Sequence, residues 1–184
     1  MIDLETLGTR VNAPVIAIGA CYFDPDTGKI GKTFDRPINM QDAMRYGVAD
    51  GGTIAWWFGQ SDAARHAATR GRDATSTVFG DFREFCQTSN SGGAFVWGNG
   101  ATFDISILEY AFMKILDCPA PWKFWNVRDC RTVKALAEGI VVVEDQKRHG
   151  THHVAVDDAI HQAKWVSQCW QALRSKPVAM DIGE

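Results

Sequence analysis

Two acidic residues near the start of the chain have the spacing of a shared cation site. Asp3 and Glu5 stand two apart in a segment that predicts a strand over 1–5, so both carboxylates face one side while Ile2 and Leu4 face the other. Carboxylates held this close repel each other unless a proton or a cation lies between them. Hard cations such as Mg²⁺ and Mn²⁺ prefer such oxygen ligands. For the pair taken alone, a solvated edge strand is the competing interpretation.

Three more acids stand where helices are predicted to begin. Asp104 follows an apolar strand and a glycine-containing loop, and functional groups in α/β proteins often lie beyond the carboxyl end of a strand. Asp157 and Asp158 open the last predicted helix. An acid in a first helical turn can also do no more than complement the helix dipole. We therefore expect that one of Asp157 and Asp158 is simply a cap.

His153 is the candidate proton acceptor. It precedes Asp158 by five residues, which on one continuous helix would separate the two side chains by about 140°. The spacing thus predicts that His153 lies in the loop before the helix. An imidazole, with an ordinary pKa of about 6.5, can take a proton from water near neutral pH. The alternative is a surface histidine in the cluster formed by His149, His152 and His153.

The elements that must hold these residues predict an α/β fold with a mixed sheet. Strands are predicted over 1–5, 13–24, 29–37, 94–97 and 126–129. Helices are predicted over 53–60, 61–69, 75–88, 103–116 and 131–138, with a last helix whose buried face carries Ala159, Ala163, Val166, Trp170 and Leu173. Early hairpin strands followed by strand-helix alternation indicate antiparallel and then parallel strands, flanked by helices.

Length and composition favour one domain with reduced cysteines. The 184 residues can bury an ordinary core, and we expect a single domain over 1–174 with a loose tail over 175–184. Five scattered cysteines form no C-x-x-C, which favours reduced thiols in a cytosol over a zinc cage. Neither a membrane-spanning run nor an export signal is present, so we expect no membrane partner and a cytoplasmic location, bacterial or in a phage-infected host. The net charge of −3 argues against coating long nucleic acids, although bound divalent cations would offset it.

Three segments together resemble the motifs of the DEDDh 3′→5′ exonucleases, which are relatives of polymerase proofreading exonucleases. In chain order they read MIDLETLG, WGNGATFDISIL and HVAVDDAIHQA. The segments TIAWWFGQS and RDCRT are similar to those of phage and prophage exonuclease VIII-like proteins and related exoribonuclease-like proteins. The resemblance covers Met1 to about Gln171 and implies a ribonuclease H-like fold.

The resemblance implies a two-metal mechanism. Asp3 would bridge two Mg²⁺ or Mn²⁺ ions, Glu5 and Asp158 would complete one site, and Asp104 would support the other. His153 would deprotonate the attacking water. Ions about 3.5–4 Å apart stabilise both the entering hydroxide and the departing 3′ oxygen. The implied substrates are single-stranded RNA or DNA 3′ ends, and each turnover would release a nucleoside 5′-monophosphate.

The resemblance also implies where the end of the substrate lies. The implied or suggested substrate-binding residues are Thr6, Leu7, Asn99, Trp56 and Trp57. Thr6 and Leu7 would receive the terminal sugar and base, and Asn99 would shape the pocket beside Asp104. The two tryptophans could stack on bases, but we expect at least one to be structural. A basic pair at 147–148 would contact phosphate or remain solvated.

Two rival functions remain at this point. A ribonuclease H-like endonuclease or strand-transfer domain would use a similar acid cluster, and the spacing of His153 and Asp158 argues against it. A nucleic-acid-binding module without catalysis would fit if the first strand, with only Met1 and Ile2 before Asp3, were distorted. The sequence decides neither between RNA and DNA nor between a monomer and a homodimer.

Overall fold

Five strands pair into one mixed sheet in the computed structural model, which describes residues 1–88, 93–141 and 150–175. The strands are β1 (Ile2–Thr6), β2 (Val15–Phe23), β3 (Ile30–Pro37), β4 (Val96–Gly98) and β5 (Val127–Asp129). Their order across the sheet is β3-β2-β1-β4-β5. β1, β2 and β3 are antiparallel neighbours, whereas β4 is parallel to both β1 and β5. The predicted mixed sheet is confirmed, and it agrees with a ribonuclease H-like fold.

Helices cover both faces of this sheet. They are α1 (Met40–Ala43), α2 (Gly51–Phe58), α3 (Asp62–Thr69), α4 (Thr75–Thr88), α5 (Ala101–Leu116), α6 (Cys130–Ala137) and α7 (Ala155–Ser175), with a 3-10 turn over Phe124–Asn126. The aromatic side chains of α4 and α5, including Phe79 and Phe112, pack into the larger core. α6 and α7 pack together, and α7 lies on β1 and β2 with Ala159, Ala163 and Val166 fully buried. The predicted apolar face of the last helix is confirmed at these three positions.

Alternation along β1 decides which residues face the cleft. Ile2 and Leu4 are buried in the larger core. Asp3 and Glu5 line a cleft beside α7. The predicted division of β1 into an apolar and an acidic side is therefore confirmed.

A glycine lets α7 approach the sheet next to Asp3. Gly19 of β2 pairs with Asp3 of β1. A Cβ atom at Gly19 would overlap the backbone of Ala155 and Val156, where α7 begins. The first turns of α7 therefore reach the acidic face of β1 only because this position has no side chain.

Several predicted bounds are wrong by one or two residues for local reasons. α5 begins at Ala101, not at residue 103, because the amides of Gly100 and Ala101 donate to one oxygen of Asp129. Gly100, at φ 102°, supplies the left-handed turn that enters the helix. α2 begins at Gly51, not at residue 53, because Asp50 caps it by accepting from the amides of Gly52 and Thr53. The short helix α1 and the 3-10 turn were not predicted.

Two expectations concern the end of the chain and membranes. α7 continues through Ser175, and the rest of the predicted tail, 176–184, lies outside the described residues. The basic pair at 147–148 and His149 also lie outside them. Among the described residues, no helix combines the length and the apolar character that crossing a bilayer requires.

Candidate active site

All five predicted catalytic residues line one cleft of about 1090 Å³ at the carboxyl ends of β1 and β4. They are Asp3, Glu5, Asp104, His153 and Asp158. They come from β1, from the first turn of α5, and from the loop and first turn of α7. The fold thus brings together residues more than 150 positions apart in sequence.

Three of these residues form the tightest cluster. Potential ligand atoms of Glu5, His153 and Asp158 all lie within 4.8 Å of one another. Glu5 is 7% exposed, while the other two are half-buried and open toward the cleft. Two carboxylates and an imidazole at this separation have the donor types and the spacing that a divalent cation requires.

Asp3 is positioned by a helix residue that the sequence analysis missed. The side-chain amide of Gln162 donates to one carboxylate oxygen of Asp3 at 2.7 Å. Gln162 is 6% exposed, and its own amide oxygen has no hydrogen-bond partner among the described residues. It stands four residues after Asp158, so both side chains lie on the same face of α7. The spacing of four residues between Asp158 and Gln162 is the feature of the sequence that could have identified Gln162 as a site residue.

Asp104 is the most deeply buried acid of the cleft, with 3% of its surface exposed. Burial raises the pKa of its carboxyl group to about 7, although backbone amides of Leu4, Asp104 itself and Asn99, and the charge of Arg131, act in the opposite direction. A buried carboxylate costs free energy unless a cation compensates its charge. Asp104 is therefore suited to binding a cation and is held in a fixed orientation before one binds.

His153 occupies an unusual backbone conformation in the loop that precedes α7. Its φ of 62° lies in the left-handed region, which non-glycine residues seldom adopt. Its backbone amide donates to Asp158 at 3.0 Å, so the two residues fix each other. The ring of Trp56 meets the imidazole edge-on, with the centroids 4.7 Å apart. The prediction that His153 lies outside the helix is confirmed.

Asp157 has a different task from its neighbour. It accepts the backbone amide of Thr151 at 2.8 Å and does not line the cleft. A Cβ atom at Gly150, whose φ is 100°, would overlap the Asp157 side chain. Asp157 therefore holds the turn before His153, as expected for the acid of the pair that acts as a cap.

The predicted substrate-binding residues divide into two groups. Thr6, Trp56 and Asn99 line the cleft, and Trp56 is 45% exposed. Trp57 is 8% exposed, and its indole N–H donates to the carbonyl of Thr6, which supports the expected structural role for one tryptophan. Leu7 is 4% exposed, packs in the larger core and does not line the cleft. Its contact with a base stays a prediction.

The acidic half of the cleft fits divalent cations by its donor set. Glu5 and Asp158 supply carboxylate oxygens beside His153, Gln162 orients Asp3, and Asp104 carries a buried charge that a cation would stabilise. Besides Gln162, the cleft contains residues that the sequence analysis did not name. They include Arg131, Lys134, His161 and Trp165.

A sheet of order β3-β2-β1-β4-β5 flanked by helices, with an acidic cleft at the carboxyl ends of its central strands, is consistent with a ribonuclease H-like α/β fold. The chain belongs to the Rv2179c-like family of 3′-5′ exoribonuclease domains, whose family model matches residues 1–170. A protein of Enterobacteria phage T4 named exodeoxyribonuclease is 29% identical over 172 residues, covering 79% of this chain and 73% of that protein. Family and relative are both exonucleases by name, and they name different nucleic acids.

Proposed function

We propose that the protein is a metal-dependent exonuclease of the DEDDh type, which hydrolyses the last phosphodiester bond at the 3′ end of a single strand. The products are a nucleoside 5′-monophosphate and a strand shortened by one nucleotide. The observation that carries the proposal is the convergence of Glu5, His153 and Asp158 within 4.8 Å, in the same cleft as Asp3 and Asp104. The exonuclease family and the phage relative support the same reaction class.

The acids of the cleft would hold two divalent cations, Mg²⁺ or Mn²⁺. Asp3 would serve both, Glu5 and Asp158 one, and Asp104 the other. When bound, such cations stabilise the negative charge that develops on the entering and leaving oxygens of a phosphodiester. The protein prepares this site by orienting Asp3 through Gln162 and by fixing Asp158 through the amide of His153.

His153 is the proposed general base. A water oxygen attacks the phosphorus and gives a proton to the neutral imidazole, while the bond from phosphorus to the 3′ oxygen of the preceding nucleotide breaks. The departing oxygen takes up a proton. Trp56 packs edge-on against the imidazole and limits the orientations of its ring. Asp158 fixes the backbone from which the ring projects.

The end of the strand is proposed to lie beside Thr6. The hydroxyl of Thr6 donates to the carbonyl of Gly8, and both residues line the cleft next to Glu5. A 3′-terminal sugar seated there leaves little room for a further dianion near four carboxylates. We therefore expect a strand with a 3′-phosphate to be degraded at least about tenfold more slowly than one with a 3′-hydroxyl, because like charges repel at short range. Equal rates, or cleavage of circular strands, would favour the endonuclease alternative.

Digestion of end-labelled strands tests the proposal. Matched single-stranded RNA and DNA are labelled at the 5′ end and incubated with Mg²⁺, with Mn²⁺ or with EDTA. We expect a ladder that shortens one nucleotide at a time from the 3′ end, release of nucleoside 5′-monophosphates, and no reaction in EDTA. The comparison of the two strands identifies the preferred sugar. Internal cuts, or activity in EDTA, would contradict the mechanism.

A further inference from the structure

The positive side chains of the cleft all lie on one side of it. Of the described residues that line the cleft, only two carry lysine or arginine side chains, Arg131 and Lys134, and both belong to α6. They are three positions apart, so they project from the same helix face, and both are exposed. Trp165 of α7 lies beside them in the cleft. We call Arg131, Lys134 and Trp165 the cationic wall.

Neighbouring residues hold the two charges in place without neutralising them. The ammonium of Lys134 lies 5.6 Å from the ring centroid of Trp165, which is a cation–π contact. Nε of Arg131 donates to the side-chain oxygen of Asn99 at 3.4 Å. Within residues 1–88, 93–141 and 150–175, neither cation makes an ion pair with a carboxylate. Within these residues both charges are therefore available to an anion that enters the cleft, and that of Arg131 also acts on Asp104.

The opposite side of the cleft has the reverse character. It is built from α2 and its cap, where Asp50, Thr53 and Trp56 line the cleft. The hydroxyl of Thr53 and nearby amides, with a smaller contribution from the charge of Arg10, hold the pKa of the Asp50 carboxyl below its usual range, so the lining of this side includes a carboxylate. A phosphate chain that crosses the cleft is thus attracted to α6 and repelled from the cap of α2. This difference favours a path along α6 for the phosphates of a bound strand.

We infer that the cationic wall binds the phosphates of a single strand on the 5′ side of the bond to be cut. The inference rests on the proposed function, which puts the scissile phosphate at the acids and the terminal sugar beside Thr6. The strand then leaves the acids past Arg131 and Lys134, with Trp165 available to a base face. The wall recognises backbone charge and aromatic surface, so it accepts any base sequence.

Binding without hydrolysis is the first test. In an Asp158→Asn background, the affinity for fluorescently labelled oligouridylate and oligothymidylate is measured by anisotropy at several salt concentrations. We expect Arg131→Gln with Lys134→Gln to weaken binding roughly tenfold and to reduce the slope of log K against log salt by about 0.7 for each cation removed. Lys114→Gln is the matched control, because Lys114 is an exposed cation of α5 that does not line the cleft. An unchanged affinity and slope in the double variant would overturn the inference.

A kinetic comparison then locates the bound phosphate. The p-nitrophenyl ester of thymidine 5′-monophosphate contains only the bond to be cut, whereas an oligonucleotide also has phosphates on its 5′ side. We expect the double variant to lower the ratio of kcat/KM for the oligonucleotide to kcat/KM for the ester by roughly tenfold. Equal losses on both substrates would place the wall at the scissile phosphate and overturn the inference. A wild-type protein that binds strands but cleaves neither substrate would instead refute the proposed function. The binding test would still show whether the cationic wall contacts the phosphates of the strand.

Discussion

The starts of α5 and α7 show how one sequence pattern acquires different chemistry. Each helix carries an acid in its first turn that reaches the same cleft. At α5, Asp104 is almost fully buried, and its carboxyl is surrounded by backbone amides. At α7, Asp158 is half-buried and fixes the backbone of His153. One helix therefore supplies a buried, desolvated acid, and the other supplies an acid paired with a histidine.

Asp157 is also an acid in the first turn of a helix, but its role differs from those of Asp104 and Asp158. It accepts a hydrogen bond from Thr151 and stabilises the turn before α7 instead of lining the cleft. Burial and the direction of approach, not the presence of an acid in a first turn, decide which residue can bind a cation. The close passage of α7 over Gly19 sets that direction, since it brings Asp158 and Gln162 beside Asp3. The predictions below separate the acid of α5 from the acid of α7.

The largest expected effect is the loss of hydrolysis in Asp3→Asn, Asp104→Asn and Asp158→Asn. Each change removes one charge from the proposed cation site, while the similar size of asparagine and the relief of carboxylate repulsion preserve the fold. We expect each rate to fall by at least about a thousandfold. The reason is that a weakened cation site no longer stabilises the negative charge that develops on the entering and leaving oxygens. Mononucleotide release and circular dichroism measure the two effects.

Asp157→Asn is the matched control, since asparagine keeps an oxygen that can accept the amide of Thr151. It should retain most of the activity. Near-wild-type turnover by Asp104→Asn or Asp158→Asn would show that the proposed cation site is wrong.

The next effect belongs to His153 alone. His153→Ala should lower the rate roughly 10²–10⁴-fold, the usual contribution of a positioned base, and leave Mn²⁺ binding measured by calorimetry close to wild type. Because His153 has a φ of 62°, His153→Asn is the better-tolerated variant, as asparagine adopts this conformation more readily than alanine. In the wild type, the rate should rise with pH as His153 loses its proton, since the base must be neutral.

His152→Ala is the control for His153, because His152 also lines the cleft but does not belong to the tight cluster. It should change the rate much less. If both His153 variants lose Mn²⁺ binding, the imidazole is a cation ligand and not the base, an arrangement that its distance from Glu5 and Asp158 also permits.

A smaller effect is expected from Gln162, which positions Asp3 without entering the reaction. Gln162→Leu removes the donor to Asp3, and groups that orient metal ligands typically contribute 10- to 100-fold in affinity or activity. We therefore expect Mn²⁺ affinity, measured by calorimetry, to fall roughly 10- to 100-fold. Gln168→Leu, on the same helix and away from the cleft, is the control. A loss of thermal stability with unchanged Mn²⁺ affinity would show that Gln162 is only structural.

Local patterns predicted the acids and the two sides of β1, because alternation along a strand is a short-range property. The position of His153 followed from its spacing to Asp158 for the same reason. The family resemblance selected Asp158 over Asp157, and the contacts of Asp157 with Thr151 agree with that choice.

Long-range contacts were not predictable in this way. The hydrogen bond from Gln162 to Asp3 joins residues 159 positions apart, and the burial of Asp104 depends on where α5 meets β1. In the sequence, Arg131 and Lys134 do not differ from other exposed cations. The packing of α6 against α7 brings them to the cleft. Sequence spacing identifies residues that share an element, and only the fold shows which elements share a site.

The smallest expected effect concerns the stability of the metal-free protein. It distinguishes the acid of α5 from the acids of α7, and its measurement needs no substrate. Burial raises the pKa of Asp104 to about 7, against about 3.9 in an unfolded chain. Between these values the folded protein binds more protons than the unfolded one, so the free energy of unfolding falls as pH rises through this window. Urea unfolding in EDTA at several pH values should therefore show Asp104→Asn gaining stability over wild type as pH rises toward about 7, with little difference near pH 4. Asp157→Asn, which removes a carboxylate from the half-buried turn before α7, is the matched control. Parallel pH profiles for wild type and Asp104→Asn would mean that burial does not raise the pKa of Asp104, and the contrast between the acids of α5 and α7 would then be wrong.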